Sequence, residues 1–369
     1  MTRREFSKSL LLAPAAASSL TAQGLAIRKD RLLYVATPGI RNYEEYGGRG
    51  LLVFNIDDDY KFVKRFPLWD VPAGQKPENV KGIAASAKTG RVYVTSLNHM
   101  MALDAVSGKK LWDKTYEGGC DRMAISPDGK ILYVPQLEGP LWHVVNGADG
   151  KVIKSVETKS ASHNTIFAAD GSRVYMAGLK SPLLSIADPK KHAVAGTVGP
   201  FANVIRPFTV NGSNTLVFVN INDLLGFEIG DVKSGKKLHR VEIQGFAKGP
   251  VKRHGCPSHG IGLTPDEKEI WVVDGHNDHV HIFDATVMPP KQVKSIKLRE
   301  SPGWVSWSLD GQNAYLSTGE IINLETKKIV AALKDEQGRE VHSEKLLDIY
   351  IANNKVVAAG NQFGVGQKA

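Results

Sequence analysis

One strand–turn–strand phrase returns about every 40 residues along this chain, and this repeat constrains the fold more than any other feature. Each copy contains apolar runs that are short and rich in β-branched residues, which favours strands over helices. An Asp-Gly or similar pair between the runs suits a tight hairpin turn. A repeat of this length built from strands alone is typical of the blades of a β-propeller. The clearest copies are AISPDGKILYV (124–134), FAADGSRVYMAG (167–178), GLTPDEKEIWVV (262–273) and WSLDGQNAYLST (307–318), with weaker copies at 84–96 and 209–220.

An aromatic residue in the second strand of each copy indicates the number of blades. Tyr34 marks a further copy that lacks a first strand, and LLDIYIANN at 346–354 is a lone strand signal that can supply it. Pairing the two chain ends removes an exposed sheet edge. We therefore expect an all-β fold: a seven-bladed β-propeller of four-stranded antiparallel blades, the first closed by the C-terminal strand, in a single domain spanning 27–369. The other aligned aromatics are Tyr93, Tyr133, Tyr175, Phe218, Trp271 and Tyr315.

Short motifs inside the copies resemble a known repeat family. YVTS at 93–96, SPDGK at 126–130 and LYVPQ at 132–136 are similar to YVTN-type β-propeller repeats, which are grouped with the quinoprotein amine dehydrogenase β-chain-like and lactonase-like propellers. The resemblance covers nearly all of residues 31–360. It implies the propeller fold and, by analogy, a lactonase-like activity or a quinoprotein role. The matching residues are turn and core positions, so the resemblance assigns no catalytic residue.

The first 26 residues have the pattern of an export signal. Arg3 and Arg4 precede the apolar run SLLLAPAAASSL, and small residues follow as far as Ala26. A twin-arginine pair before a modest apolar run is typical of a Tat signal, and the run is too short for a stable membrane span. We therefore expect a Tat-type signal peptide at 1–26 and a periplasmic or secreted protein. A basic tail without a targeting role is the alternative.

The charge and the two cysteines narrow the choice of partners and crosslinks. The net charge is +9, but the lysines are scattered in turns and are not interleaved with aromatics, so we expect no nucleic-acid partner. Cys120 precedes the third blade and Cys256 the sixth, on different sides of a central channel. A disulfide requires Cα atoms within about 7 Å, so we expect two free thiols.

The register of the copies also predicts a polar ring around the channel. Residues five positions before the turn of each copy lie where the chain reaches its innermost strand, so they should form a ring at one mouth of the channel. Six of the seven carry an ionisable group, and such convergent groups are typical of ligand sites. Simple ion pairing in a wet channel mouth is the alternative. The register gives Lys81, Asp121, His163, Arg206, His259 and Gly303 as ring members, and Glu344, ahead of the C-terminal strand, is the expected seventh.

Loops on the same face add further candidates. Arg41 lies in the long loop of blade one, His276 lies in the loop after the second strand of blade six, and Trp304 follows the ring position of blade seven. Each could contact a ligand at the mouth, although Trp304 could instead pack between blades. Trp307 is expected to pack between blades.

The histidines also admit a divalent metal. His163 and His259 are the first candidate ligands, because imidazole binds zinc or copper, and Asp121, Glu344 or His276 could complete the shell. No tight ligand spacing of the HExxH kind supports this site.

Two classes of function fit these residues. In the first, Lys81 and Arg206 bind an anionic small molecule and His163 or His259 acts as a general base. Asp121 or Glu344 would then orient the histidine, as in a hydrolase or lyase. In the second, the protein is a non-catalytic module that recognises a protein or an envelope polymer through its loops. The sequence does not decide between them, nor does it give the oligomeric state.

Overall fold

A computed structural model describes residues 29–251 and 253–368, which form seven β-sheets arranged as the blades of a propeller. The signal expected at 1–26 lies outside the described residues. Within these ranges, no helix has the length and apolarity needed to cross a membrane. The expected all-β, seven-bladed, four-stranded antiparallel architecture is confirmed, including closure of the first blade by the C-terminal part of the chain.

The strands follow one another in chain order around the ring. Blade 1 contains β1 (Lys29–Thr37), β2 (Gly50–Asn55), β3 (Lys61–Phe66), β28 (Leu346–Ala352) and β29 (Lys355–Ala359). Blade 2 contains β4 (Gly82–Ser86), β5 (Arg91–Thr95), β6 (His99–Asp104) and β7 (Lys110–Thr115). Blade 3 contains β8 (Ala124–Ile125), β9 (Ile131–Pro135), β10 (Leu141–Asn146) and β11 (Val152–Glu157). Blade 4 contains β12 (Ser162–Phe167), β13 (Val174–Gly178), β14 (Leu184–Asp188) and β15 (Ala193–Val198). Blade 5 contains β16 (Ile205–Val210), β17 (Leu216–Ile221), β18 (Gly226–Asp231) and β19 (Lys236–Glu242). Blade 6 contains β20 (Ser258–Leu263), β21 (Glu269–Asp274), β22 (His279–Asp284) and β23 (Lys291–Lys297). Blade 7 contains β24 (Val305–Trp307), β25 (Asn313–Leu316), β26 (Glu320–Asn323) and β27 (Ile329–Ala332).

The repeated aromatic of the second strand connects neighbouring blades. Tyr34, Tyr93 and Tyr133 are fully buried against the next blade. The Tyr34 hydroxyl donates to the carbonyl of Ala105 at 2.6 Å, and the Tyr93 hydroxyl donates to that of Gly147 at 3.1 Å. Both acceptors lie in the turn between the third and fourth strands of the following blade. The aromatic therefore recurs in the sequence because it fills the gap between blades and also bonds across it.

The propeller closes through its two chain ends. Lys29 through Val35 of β1 pair with Ala352 through Leu346 of β28, which lies on the inner side of β1 in blade 1. The last strand, β29, pairs with the other side of β28, so the first blade has five strands. The sequence could not place this final segment, because it lies outside the repeat.

Residues after β29 cross the channel and close one end of it. The Gln362 side chain donates to the carbonyl of Met123 at 2.8 Å and accepts from the backbone N–H of Ile83 at 3.1 Å. Farther on, the N–H of Gly366 donates to the carbonyl of Val210 at 3.0 Å. The tail thus bonds to the inner strands of blades 2, 3 and 5, and it forms a floor across the channel.

The remaining packing predictions agree with the structure. Cys120 and Cys256 are buried free thiols, as expected from their separate blades. The Trp307 indole N–H donates to the carbonyl of Leu263 at 2.7 Å, and its ring packs edge-on against Trp271, so Trp307 joins blades 6 and 7.

Closure of the first blade buries a carboxylic acid next to blade 7. Asp348 of β28 accepts a hydrogen bond from the N–H of Leu309 at 2.9 Å through Oδ2. Its Oδ1 has no hydrogen-bond partner among the described residues. Burial raises the pKa of Asp348 to about 7. The folded protein therefore holds a proton on Asp348 at pH values where an unfolded chain has released it.

We expect Asp348 to make the protein less stable as the pH rises from about 4 to about 7, because only the folded state retains the proton over that range. Asp348→Asn removes this titration and nearly preserves the side-chain shape. Relative to the wild type, the free energy of unfolding of D348N should rise by about 3 kcal/mol between pH 5 and pH 8 in urea titrations. The exposed Asp59→Asn is the matched control. An equal difference between D348N and wild type at both pH values would contradict this account.

Candidate functional site

The predicted ring residues converge on one cavity at the channel mouth opposite the tail. The cavity has a volume of about 160 Å³. Each predicted ring residue lies at or just before the start of one strand of its blade, and these seven strands start at the same face of the propeller. The strands are β4, β8, β12, β16, β20, β24 and β28. The ring residues that line the cavity are Lys81, Asp121, His163, Arg206, His259 and Glu344.

The seventh ring position, Gly303, is filled by a histidine from another segment. A Cβ atom at Gly303 would lie 2.2 Å from Cε1 of His254 and 2.6 Å from Oε1 of Glu344. His254 belongs to the insertion at 245–257 that precedes β20. The glycine thus leaves room for an imidazole that the insertion brings to the axis.

Glu344 is the centre of a buried ionic network. Its Oε2 accepts from Nη2 of Arg122 at 2.6 Å and from Nζ of Lys345 at 3.0 Å, while Nδ1 of His254 lies 3.0 Å from its Oε1. Burial by itself raises the pKa of Glu344, but Lys345 and His254 outweigh burial and hold it well below its usual value. Glu344 is therefore a permanent buried anion. Burial also lowers the pKa of Lys345 to about 8 despite the adjacent carboxylate.

Arg122 is a buried cation whose hydrogen-bonding capacity is only partly used. Its side chain is 4 % exposed, and its guanidinium lies 3.6 Å above the ring of Trp304. Only Nη2 is engaged by Glu344. Nε and Nη1 are buried and have no hydrogen-bond partner among the described residues. A buried charged donor without an acceptor is unfavourable, so Arg122, which lines the cavity, retains an unused capacity to bind an acceptor.

A second ionic group forms across the ring. His163 Nδ1 lies 2.6 Å from Oδ2 of Asp121, and Nζ of Lys81 lies 3.3 Å from Oδ1. Burial raises the pKa of Asp121, but His163 and Lys81 outweigh it and bring that pKa to about 2. Burial lowers the pKa of His163, and Asp121 offsets this only in part. His163 is therefore a neutral imidazole at neutral pH, with its proton on Nδ1 and its lone pair on Nε2.

His259 is also neutral, and its tautomer is fixed by the backbone. Its Nδ1 donates to the carbonyl of Gly303 at 2.8 Å. Burial holds the pKa of His259 well below its usual value, although Glu344 acts in the opposite direction. The lone pair of His259 is therefore on Nε2.

Two loops meet above the cavity and form part of its rim. Arg41, in the loop after β1, donates from Nη2 to the carbonyl of Arg253 at 2.8 Å. The Arg253 guanidinium lies 5.8 Å from the ring centroid of Tyr43 and 5.7 Å from that of Tyr46. The blade-one loop therefore holds Arg253 in place over the mouth.

The cavity carries an excess of positive charge. Six cationic side chains and three carboxylates line it among the described residues. Because His163 and His259 are neutral, they do not add to this excess. The cations are Arg41, Lys81, Arg122, Arg206, Arg253 and Lys345, and the carboxylates are Asp121, Glu138 and Glu344.

Two predicted site residues lie elsewhere. His276 lines a small recess with Pro250 and Cys256 and does not line the cavity. Trp304 is 2 % exposed, its indole N–H donates to the carbonyl of Gln362 in the tail at 2.7 Å, and its ring supports Arg122. Trp304 therefore acts on the site through Arg122 and does not form the cavity wall.

Sequence reasoning did not select Arg122, Lys345 or Arg253. Arg122 and Lys345 each directly follow a ring residue, so their position beside Asp121 and Glu344 was the available signal. Successive side chains of a regular strand point to opposite faces, so the side chains of Arg122 and Lys345 would be expected to point away from the channel axis. Regular pairing begins only at Ala124 and Leu346, however, and both side chains reach the cavity.

Metal-binding side chains are grouped differently from the expectation. In the described part of the chain, the histidine, cysteine and carboxylate side chains close enough to share an ion are His254, His259 and Glu344, with ligand atoms within 4.8 Å of one another. His163, the other expected ligand, is instead bonded to Asp121.

A larger cavity of about 480 Å³ lies between blades 1 and 2, but two of its polar side chains, Trp69 and Glu78, are engaged by the protein. The Trp69 indole N–H donates to Asp113 at 3.1 Å, and Glu78 accepts from the Ser96 hydroxyl at 2.6 Å. The smaller channel-mouth cavity contains the unpaired charged donor, so we consider it the better candidate site.

Comparison with known proteins supports the fold alone. No family model matches the chain, and no curated protein matches it. Among solved structures, it is similar to a chain of the hydrazine synthase of Kuenenia stuttgartiensis, with a TM-score of 0.57 and 15 % sequence identity. That match covers 79 % of this chain and 90 % of the other. At this identity, the likeness indicates a shared propeller fold and carries no functional information.

The pairing of Asp121 with His163 can be tested by titration. Asp121→Asn keeps a hydrogen-bond acceptor but removes the negative charge that favours the imidazolium, so the pKa of His163 should fall further. NMR titration of the imidazole resonances measures this pKa, and His192, which lies outside the cavity, is the internal control. An unchanged or raised pKa of His163 would show that Asp121 does not control its protonation.

Proposed function

We propose that this protein binds a small oxyanion, such as a carboxylate, in the channel-mouth cavity, with Arg122 as its principal partner. The proposal rests on one observation: Nε and Nη1 of Arg122 are buried and unpartnered in a wall where cations outnumber carboxylates. An anion bound there would provide charge-assisted hydrogen bonds to donors that otherwise have none.

The size and shape of the cavity limit the ligand. Water occupies ~30 Å³ per molecule in the liquid, so about 160 Å³ holds roughly five waters or an anion the size of malonate. The tail closes the channel below the ring, and Arg41, Arg206 and Arg253 line the open side. A ligand would therefore enter past arginines and stop at Arg122, which favours small anions over polymers.

Anion binding can be measured by calorimetric titration with acetate, malonate and phosphate at constant ionic strength. Arg122→Met retains the volume of the side chain but removes its donors. We expect it to weaken binding of the best anion about 10- to 100-fold, the range for a charged hydrogen bond. Arg240→Met, on the outer strand β19, is the matched control and should bind as the wild type does.

Two results would contradict the proposal. One is equal affinity of R122M and the wild type for the best anion, which would place binding elsewhere. The other is the absence of saturable binding by any of the three probes. The non-catalytic alternative, recognition of a protein or an envelope polymer by the loops, would then be the better account.

A hydrolase or lyase acting in the same cavity is the second candidate, and the contact between Asp121 and His163 favours it. Asp121 holds the proton on Nδ1, so Nε2 of a neutral imidazole is free to take a proton from water. Water activated there could add to the carbonyl of a lactone. The ring C–O bond would break, and the product would be a hydroxy acid whose carboxylate suits the cationic wall.

Lactone hydrolysis gives a direct test of this second candidate. We expect the wild type to open γ-butyrolactone, with kcat/KM rising with pH up to the lowered pKa of His163 and constant above it, because only the neutral imidazole is basic. His163→Gln should reduce kcat/KM by 100-fold or more. His239→Gln on β19 is the control. Equal rates for H163Q and the wild type would remove His163 from the mechanism.

Export by the Tat route is a further part of the proposal. Its support is the twin-arginine pair Arg3-Arg4 and the short apolar run behind it. A periplasmic or secreted location would expose the cavity to small anions outside the cytoplasm.

A further inference from the structure

Three potential metal ligands from separate segments meet on one side of the cavity. His254 comes from the insertion at 245–257, His259 from the start of β20, and Glu344 from the residues before β28. Their ligand atoms all lie within 4.8 Å of one another. Two imidazoles and one carboxylate are a common ligand set for zinc and related divalent ions, which often retain an open position for water or a ligand.

Backbone carbonyls direct the two imidazoles in opposite senses. The Nδ1 of His259 donates to the carbonyl of Gly303 at 2.8 Å and lies 3.8 Å from Oε1 of Glu344, so this imidazole binds a metal ion through Nε2 or by exchanging the Gly303 contact for the metal. The Nε2 of His254 lies 3.3 Å from the carbonyl of Ser301, so an N–H there leaves Nδ1, which faces Oε1 of Glu344, to carry either a second proton or a metal ion. Metal-bound histidines typically donate their second ring nitrogen in this way, which fixes the tautomer and the ring orientation.

The contact between His254 and Glu344 is favourable only with a positive charge between its two atoms. Nδ1 of His254 lies 3.0 Å from Oε1 of Glu344. With Nε2–H donating to Ser301, Nδ1 and Oε1 attract each other only when a proton or a metal ion lies between them. Two ligands bound at ~2.1 Å in the tetrahedral geometry of zinc are about 3.4 Å apart, so the observed 3.0 Å separation needs to open by only about 0.4 Å to hold a shared metal ion. Arg122 and Lys345 occupy the other oxygen and leave Oε1 available.

Gly303 is the position that permits this cluster. A Cβ atom there would clash with the imidazole of His254 and with Oε1 of Glu344 at the distances given above. The other six ring positions carry ionisable side chains, whereas this one is a glycine whose neighbours are two of the three ligands. The absence of a side chain at this ring position is thus explained by the cluster.

The geometry points to a divalent metal site of the zinc type formed by His254, His259 and Glu344, beside the cationic wall of the cavity. The three ligands supply one negative charge, so a bound dication increases the positive charge of the mouth. A metal ion and an anion should therefore each strengthen binding of the other. This coupling rests on the proposed anion site, whereas the metal site itself does not.

The test uses Zn²⁺ alone with the chelator-treated protein, and Co²⁺ as a spectroscopic probe. We expect one equivalent of Zn²⁺ to bind, and Co²⁺ to give the visible absorption of a nitrogen- and oxygen-bound ion. Gly303→Ala should displace His254 and weaken Zn²⁺ binding by on the order of 100-fold or more. Gly196→Ala is the matched control, because a Cβ there meets no atom within 4 Å.

Loss of metal binding in G303A together with an unchanged melting temperature supports the site, and so does retained binding in G196A. Failure of the wild type to bind Zn²⁺ or Co²⁺ would overturn it, since a proton alone would then bridge His254 and Glu344. Equal affinity of G303A and the wild type would also overturn it. Arg122→Met separates the two proposals by stoichiometry: it should lose malonate binding but still bind one equivalent of Zn²⁺, because His254, His259 and Glu344 all remain.

Discussion

The pairing of β1 with β28 is the constraint on which the rest of the molecule depends. It turns a row of similar sheets into a ring, and it removes the edges that an open row would expose. It also delivers Glu344, which directly precedes β28, to a point 2.6 Å from Arg122, although 222 positions separate the two residues in the chain. The same closure that stabilises the fold thus assembles the charged mouth of the channel.

Inside that mouth, buried charges are paired almost completely, and the exception identifies the site. Glu344 is paired with Arg122, Lys345 and His254. Asp121 is paired with Lys81 and His163. Burying ions in this way is unfavourable unless each finds partners, so the pairing is what allows the cluster to exist. Arg122 alone combines a buried guanidinium with two unpartnered nitrogen atoms in the described cavity wall. A charged donor without an acceptor lowers the stability of the folded protein, and a bound anion would raise that stability.

The fold could be predicted from the sequence because every copy of the repeat carries the same signals. These are the turn pairs and the second-strand aromatics such as Tyr93 and Tyr133. The ring followed from the same register, which brought His163 and Asp121 together although they lie on different blades. The register had no information on segments outside the repeat. His254 lies in an insertion, and the tail that carries Gln362 follows the last repeat. Arg122 was missed because strand alternation does not apply before regular pairing begins.

The most direct test of the account is an anomalous diffraction experiment on crystals grown with selenate. If the channel mouth is an oxyanion site, selenium should appear in the cavity within hydrogen-bonding distance of Nε or Nη1 of Arg122. Selenium found only at surface lysines, with ordered water as the sole partner of those two nitrogen atoms, would contradict the account.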